Sequence, residues 1–244
     1  MLDLKAMHPN AANNRLRIIR ILFAFAQERA WRPDNPAKEV KKLKVVSDGY
    51  HVWNEAEIEK FESFWPVGSR ERLAFDLLLY TGQRSADVRL MTRNQISYEL
   101  PDEDGKRRGT VAVRQEKTGA SLIIPLHEAL LESLDASKTQ GLLLLQTAQN
   151  RPFSPKGFSN WICAAAKEAG LTGCTAHGLR KSAATRLADA GCSAHEIMAV
   201  TGHKTLSEVQ RYTKSAEQRD KAGKAMKRLQ ETHRERKLSN LRQG

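Results

Sequence analysis

The stretch TGHKTLSEVQRYTK, Thr201–Lys214, sets a histidine and a tyrosine nine residues apart in a polar segment that runs into a basic tail. Two readings compete. Leu206, Val209 and Tyr212 recur at three-residue steps, so Tyr212 can simply edge the apolar stripe of a short helix. Alternatively the phenol is present for its oxygen, and then other residues whose chemistry needs a phenol must accompany it. The choice turns on what the rest of the chain supplies.

Three other segments stand out. TGQRSADV, Thr81–Val88, sets Arg84 just after a helix-ending glycine, where a side chain can project into a cleft. EKTG, Glu116–Gly119, sets Lys117 at the tip between two strand-like runs. AHGLRKSAATRLADAG, Ala176–Gly191, has His177 and Arg180 three apart at a helix start, hence on neighbouring positions of one face. Taken singly each is weak, since a lone Arg or Lys is ordinarily a solvated charge and a His at a helix start is ordinarily a cap. Jointly, two Arg, one Lys, two His and one Tyr make a set that can bind and attack a phosphodiester without a metal.

Around these segments the patterning is mostly helical. Leu16, Ile19, Leu22, Phe23, Ala26 and Ala30 share one face of a helix over 15–30, with Arg15, Arg17 and Arg20 mostly off it. Trp31-Arg32-Pro33-Asp34-Asn35-Pro36 ends it, and a polar, Lys-rich run to about Gly49 reads as a linker. Asn54 with Glu57 forms a capping box for a helix through Phe64, and Ser69 opens another through Tyr80, ended by Gly82. Val111 and Val113, Leu122–Pro125 and a partner near Ile96–Leu100 predict a small antiparallel sheet with turns at Asp104-Gly105 and Lys117-Thr118-Gly119. Helices follow over Glu128–Leu134, Pro155–Ala169 and Leu179–Ala190, and Ser193 with Glu196 caps one more. The expected fold class is α+β, mostly α with one small antiparallel β-sheet.

Composition narrows the partner. The chain has 244 residues and a formal net charge of +12. Residues 1–47 hold 10 Lys/Arg against 4 Asp/Glu, residues 214–244 again 10 against 4, and the middle balances at 20 against 20. A neutral body with two basic ends points to a polyanion, nucleic acid before membrane, because neither end carries a strong aromatic and Leu-rich amphipathic face. No stretch approaches the roughly 20 apolar residues of a membrane span, and the N-terminus lacks the order of a secretion signal, so a cytoplasmic location is expected. Cys163, Cys174 and Cys192 lie in no metal-ligand spacing along the sequence and read as idle thiols.

The order Arg, Lys, His-x-x-Arg, Gly-His, Tyr resembles the tyrosine recombinase (phage integrase) family over roughly Trp53–Lys214. TGQR is similar to that family's first-arginine motif, KTG to its hairpin lysine, HGLR to its second box, and TGHK with Tyr nine residues after the His to its last. Asp87 stands where the family more often has Glu, which keeps the carboxylate. The resemblance implies that residues 1–36 are the last helix of a core-binding domain most of which this chain lacks. It further implies a basic linker at 37–50, a catalytic domain at 51–213 and a basic helical tail at 214–244.

The resemblance also implies a chemistry. Arg84 and Arg180 would stabilise charge on the nonbridging phosphate oxygens. Tyr212 would attack to form a 3′-phosphotyrosine and free a 5′-hydroxyl, His177 would take the phenol proton, Lys117 would protonate the leaving oxygen, and His203 would hydrogen-bond the phosphate. No acidic metal-binding cluster accompanies these residues, so no cofactor and no metal are expected, and storing the broken bond as a protein ester removes any need for ATP. The expected partners are double-stranded DNA and further copies of the chain, as a tetramer on DNA. A non-recombining DNA-binding derivative and a topoisomerase are the alternatives.

Overall fold

The computed structural model describes residues 8–45, 49–100, 103, 105, 107–138 and 141–242. It divides into two units, Met1–Gly49 and Tyr50–Gly244. In the first, α1 spans Pro9–Glu28. Proline at the first helical position starts it earlier than the apolar periodicity indicates, because that position needs no N–H partner. It also ends sooner than expected, with Ala30 past its end at φ 57°. The expected linker lies along α1. Asn13 exchanges two 2.8 Å hydrogen bonds with the Leu43 backbone, and Arg20 donates to the carbonyls of Ala37 (2.9 Å), Lys38 (3.2 Å) and Val40. Arg20 is therefore a structural cation, although the sequence reads it as part of a basic face.

In the second unit, α2 (Glu55–Phe64) opens with the expected capping box: Glu57 N–H donates to the Asn54 side chain at 2.9 Å, and Asn54 N–H to the Glu57 carboxylate at 2.8 Å. Then come α3 (Arg70–Thr81), the one-turn α4 (Ser85–Val88), β1 (Ile96–Tyr98), β2 (Gly109–Arg114), β3 (Ser121–Pro125), α5 (Glu128–Ala136), α6 (Pro155–Glu168), α7 (Ala176–Asp189), α8 (Ala194–Thr201) and α9 (Leu206–Arg242). The strands form one antiparallel sheet in the order β1-β2-β3, with Ile96 opposite Val111, Val111 opposite Ile124 and Val113 opposite Leu122. Asp104 of the expected first turn lies outside the described residues. The second turn is present, with Gly119 at φ 70° and its N–H bonded to the Gln115 carbonyl at 2.9 Å.

The helix α3 is the centre of the core. Leu73, Ala74, Phe75, Leu77, Leu78 and Leu79 are all buried, so the helix is apolar nearly all round, and it packs against α5, α6 and α7. Phe61 stacks on Phe75 with centroids 4.6 Å apart, and Trp53 meets both rings. Burial of each such side chain contributes about 1.5–3 kcal/mol. Asp76, fully buried in this helix, is held by two Arg72 hydrogen bonds (3.0 and 3.1 Å) and by Ser133, and burial still pushes its carboxyl up to about 6. A second cluster, Ala184, Ala188, Ile197, Val209 and Tyr212, joins α7, α8 and α9.

Two boundaries differ from the expectation in ways that matter for the site. Thr175 caps α7 by accepting from Gly178 N–H at 3.1 Å, so the helix begins at Ala176, three residues before Leu179, and His177 sits in its first turn. The helix carrying Tyr212 is not short: α9 runs 37 residues into the basic tail.

Candidate DNA-cleavage site

Arg84 owes its place to the end of α3. Gly82 takes the left-handed conformation (φ 60°) that closes the helix, and the chain then turns so that Arg84 caps α4. The half-buried Arg84 guanidinium donates from Nη1 to the Gln115 side-chain carbonyl at 2.8 Å. Arg180, in the second turn of α7, donates from Nη1 to the Gly82 carbonyl oxygen at 2.6 Å. It is buried, and among the described residues its Nη2 has no acceptor. Burial first, and then the like charge of Arg84, lower its pKa to about 10, so it remains charged at neutral pH.

Gly178 explains how α7 comes so close to the start of this unit. A Cβ there would overlap the His51 carbonyl oxygen and stand 2.9 Å from the Trp53 ring. Trp53 Nε1 donates to the Thr175 carbonyl at 3.1 Å, and Ser182 Oγ donates to the Trp53 carbonyl at 3.0 Å. The His177 ring lies against Tyr50 with centroids 4.5 Å apart, and Lys181 donates to the Tyr50 carbonyl at 2.7 Å. His177 is exposed, yet its pKa is lowered by partial desolvation and then by Arg180, Lys181, Arg211 and Arg84. Four neighbouring cations push in the direction that solvent access does not reverse, so the ring is neutral at pH 7 and able to accept a proton.

His203 follows the left-handed Gly202 (φ 68°) that ends α8. Its Nδ1 is 2.6 Å from Thr201 Oγ1, and the Thr201 hydroxyl donates to the Ile197 carbonyl at 2.7 Å. One hydroxyl has one proton, so His203 Nδ1 carries the hydrogen of that contact and, in the neutral ring, Nε2 presents a lone pair. Burial, with Arg180 next in weight, lowers the pKa to about 4.

Tyr212 packs as the first of the two readings of its sequence expects. Its ring is nearly buried, packed in the cluster with Val209 where the three-residue steps put it. Its hydroxyl accepts from Arg211 Nη2 at 2.8 Å, and the Arg211 guanidinium, 4.8 Å from the ring centroid, also acts on His177 and His203. Lys117 is exposed on the β2–β3 turn. The structure thus gathers Arg84, His177, Arg180, His203 and Tyr212 into one electrostatic neighbourhood, with Lys117 on an adjoining hairpin. Asp87 belongs to the same arrangement: Oδ1 accepts from Glu116 N–H at 2.8 Å, and Oδ2 is buried without a partner among the described residues.

Several residues of this site are not evident from the motifs. Gln83 and Gln115 form a buried amide pair, Gln115 Nε2 donating to Gln83 Oε1 at 2.6 Å. Tyr50 and Lys181 lie close to His177, and Arg211 to Tyr212. Gln115 carries a signal: it is in phase with the inward-facing Val111 and Val113, so strand alternation places a polar side chain indoors. Tyr50 and Lys181 meet across 131 residues and have no such signal.

The thiol read as idle also has company. The ligand atoms of His51, Glu57 and Cys174 lie within 4.8 Å of one another. His51 Nε2 and Glu57 are 2.7 Å apart, and Glu57 also serves the Asn54 cap, so these groups satisfy each other. Burial, with Glu57 adding to it, pushes the Cys174 thiol up to about 12. A cavity of about 550 Å³ bounded by Ser69, Arg70, Lys138 and Gln146 contains none of the motif residues.

Residues 54–219 match the model of the phage integrase family. The tyrosine recombinase XerD of Mycobacterium leprae (strain TN) is 26% identical over 200 residues, which are 76% of this chain and 60% of that protein. The tyrosine recombinase XerC of Bifidobacterium longum (strain DJO10A) is 45% identical over 49 residues, 20% of this chain and 14% of that one. The fold matches a lambda integrase (75–356) dimer bound to a COC′ core site at TM-score 0.71 and 23% identity, covering 86% of this chain and 75% of that one. It also matches a lambda integrase tetramer bound to a Holliday junction at TM-score 0.66 and 26% identity, covering 84% and 62%. Among the described residues no helix is long and apolar enough to cross a membrane.

Proposed function

Because the chain belongs to the phage integrase family, we propose that it cleaves and rejoins double-stranded DNA at specific sites through a 3′-phosphotyrosine intermediate. The observation that carries this reading is Arg180: a buried guanidinium, held beside the like charge of Arg84, with Nη1 bonded to the Gly82 carbonyl and Nη2 without an acceptor among the described residues. Two adjacent cations repel, and a buried donor without a partner is costly, so the pair is built for an anion that answers both.

A phosphodiester meets that description. The Arg84 and Arg180 guanidiniums match its nonbridging oxygens and stabilise the charge that grows on them during attack, an effect worth about 3–4 kcal/mol per donor in oxyanion sites of other chemistry. That is the contribution a metal would otherwise make, so the mechanism needs none. A phenol has a pKa of about 10 and needs a base, and neutral His177 is that base. The Tyr212 oxygen must leave Arg211 for the phosphorus. The bond to phosphorus forms as the P–O5′ bond breaks, and Lys117 protonates O5′. His203 donates from Nε2 to the phosphate once the phosphate's negative field has charged the ring. The phosphotyrosine ester retains the energy of the broken bond, so a 5′-hydroxyl from a second duplex reseals it without ATP, in an assembly of four copies on DNA.

Incubation with a nicked suicide duplex, from which the 5′ fragment diffuses away, tests the reading. A covalent protein–DNA adduct is expected, and a two-duplex assay should show joined products. An adduct with relaxation only would favour a topoisomerase. DNA binding with no adduct would make the chain a non-cleaving DNA-binding derivative.

A further inference from the structure

Val111 and Val113 face inward from β2, and the same alternation turns Gln115 inward at the base of the lysine hairpin, where it is 1% exposed. A buried carboxamide has two N–H donors and two lone pairs to satisfy. All four are used here. Nε2 donates to Gln83 Oε1 (2.6 Å) and to the Thr201 carbonyl (2.8 Å), and Oε1 accepts from Arg84 Nη1 (2.8 Å) and Thr118 Oγ1 (2.6 Å). Gln83 extends the network from Nε2 to the Thr81 and Val200 carbonyls, at 3.0 and 2.8 Å. Gly202 lies flat against the amide, and a Cβ there would overlap it.

Each contact is one step from a proposed catalytic group: Arg84 itself, Thr118 beside Lys117, and the Thr201-Gly202 turn before His203. Lys117 is exposed at a tip, so its position relative to the two arginines depends on what holds the hairpin down. We propose that Gln115 is a positioning residue that sets Lys117 against the Arg84 and His203 turns, so that the leaving oxygen meets its proton donor only when those turns are assembled. This rests on the reading of the site as a DNA-cleaving centre.

The step is attack of Tyr212 Oη on phosphorus with loss of the phenol proton to His177, cleavage of P–O5′, and transfer of a proton from Lys117 Nζ to O5′. When sulfur replaces the bridging O5′, the P–S bond breaks and a thiolate leaves without needing that proton. The test is single-turnover adduct formation on suicide duplexes with either bridging atom, comparing wild type, Gln115→Ala, Thr118→Val and Lys117→Ala. Thr118→Val removes a hydroxyl that donates to Gln115 Oε1 (2.6 Å) and accepts from Ala120 N–H (3.4 Å) at a half-buried turn, and leaves the buried amide in place, so it carries the test if Gln115→Ala folds poorly.

Gln115→Ala should slow cleavage of the oxygen substrate by ~10-fold or more, a part of what a general acid contributes. Thr118→Val should slow it less, and both should regain most of the loss on the sulfur substrate, as Lys117→Ala does. Equal losses on the two substrates, or no loss from either variant, would overturn the proposal. If wild type forms no adduct on either duplex, the cleavage reading itself fails.

Discussion

Arg180 Nη1 donates to the Gly82 carbonyl oxygen at 2.6 Å, so the helix carrying one cation is fastened to the glycine turn that carries the other. One half of the guanidinium is structural, and the other, Nη2, is buried with no acceptor among the described residues. Lysine keeps the charge but loses the planar fork that serves both. Arg180→Lys and Arg180→Ala should each cut adduct formation by about 10²-fold or more. Gel-shift affinity for the uncleaved duplex should change far less. Equal losses in binding and cleavage would make Arg180 an ordinary DNA-binding cation.

His203 has a pKa of about 4 because burial and Arg180 disfavour the imidazolium. A phosphate brings an opposing charge and raises that value, so protons are taken up on binding at any pH between the free and bound values. Calorimetric binding enthalpies at pH 5.5–6, an interval chosen from the ~6.5 reference value, should therefore depend on the buffer's ionisation enthalpy with the sign of uptake. His203→Gln should remove the dependence. Uptake that persists unchanged in that variant would assign the proton elsewhere.

Gly202 and Gly119 share a left-handed backbone, at φ 68° and 70°, but not a neighbourhood. Nothing lies within 4 Å of a Cβ at Gly119, whereas at Gly202 the Gln115 carboxamide is in the way. Alanine at either position carries a conformational cost of about 1–2 kcal/mol. Thermal denaturation should show the larger loss for Gly202→Ala, and of the two, Gly202→Ala should lose more cleavage. Matching losses of cleavage would remove the amide contact from the account.

The tail tests the charge argument. Residues 214–244 hold 10 Lys/Arg against 4 Asp/Glu, and each phosphate they neutralise adds about −0.9 to the slope of log K against log salt on duplex DNA. Deleting the tail should flatten that slope. An unchanged slope would mean that the tail touches no phosphate, and its exposed Met226 and Leu229 would then point to a protein contact instead.

What could be read in advance follows from what is local. Asn54-Glu57, Ser69, Ser193-Glu196 and Gly82 announce helix ends because a cap involves residues two to four apart. Val111, Val113 and Leu122–Pro125 announce strands by alternation, and three of the four motifs name residues that the structure brings together, while Lys117 of the fourth stays exposed on its turn. The start of α7 is not legible from periodicity, because Ala176 to Gly178 lacks an apolar rhythm and the Thr175 cap decides the boundary. The use of Arg20 on carbonyls of residues 37–40 depends on where the chain folds back, which charge counting does not reveal. The contacts that assemble the site, Arg180 to Gly82 and Gln115 to Thr201, span 98 and 86 residues, and no local pattern encodes them.

The central claim is that Tyr212 acts through its oxygen and does not merely fill the cluster beside Val209. Tyr212→Phe removes that oxygen and its Arg211 hydrogen bond while keeping the ring. The direct measurement is adduct formation by wild type and Tyr212→Phe on the nicked suicide duplex, with mass spectrometry of the DNA-linked peptide. The account predicts a wild-type adduct mapped to Tyr212, and a variant that folds and binds DNA yet forms none. An adduct formed by Tyr212→Phe, or a wild-type linkage mapped to another residue such as Tyr80, would contradict it.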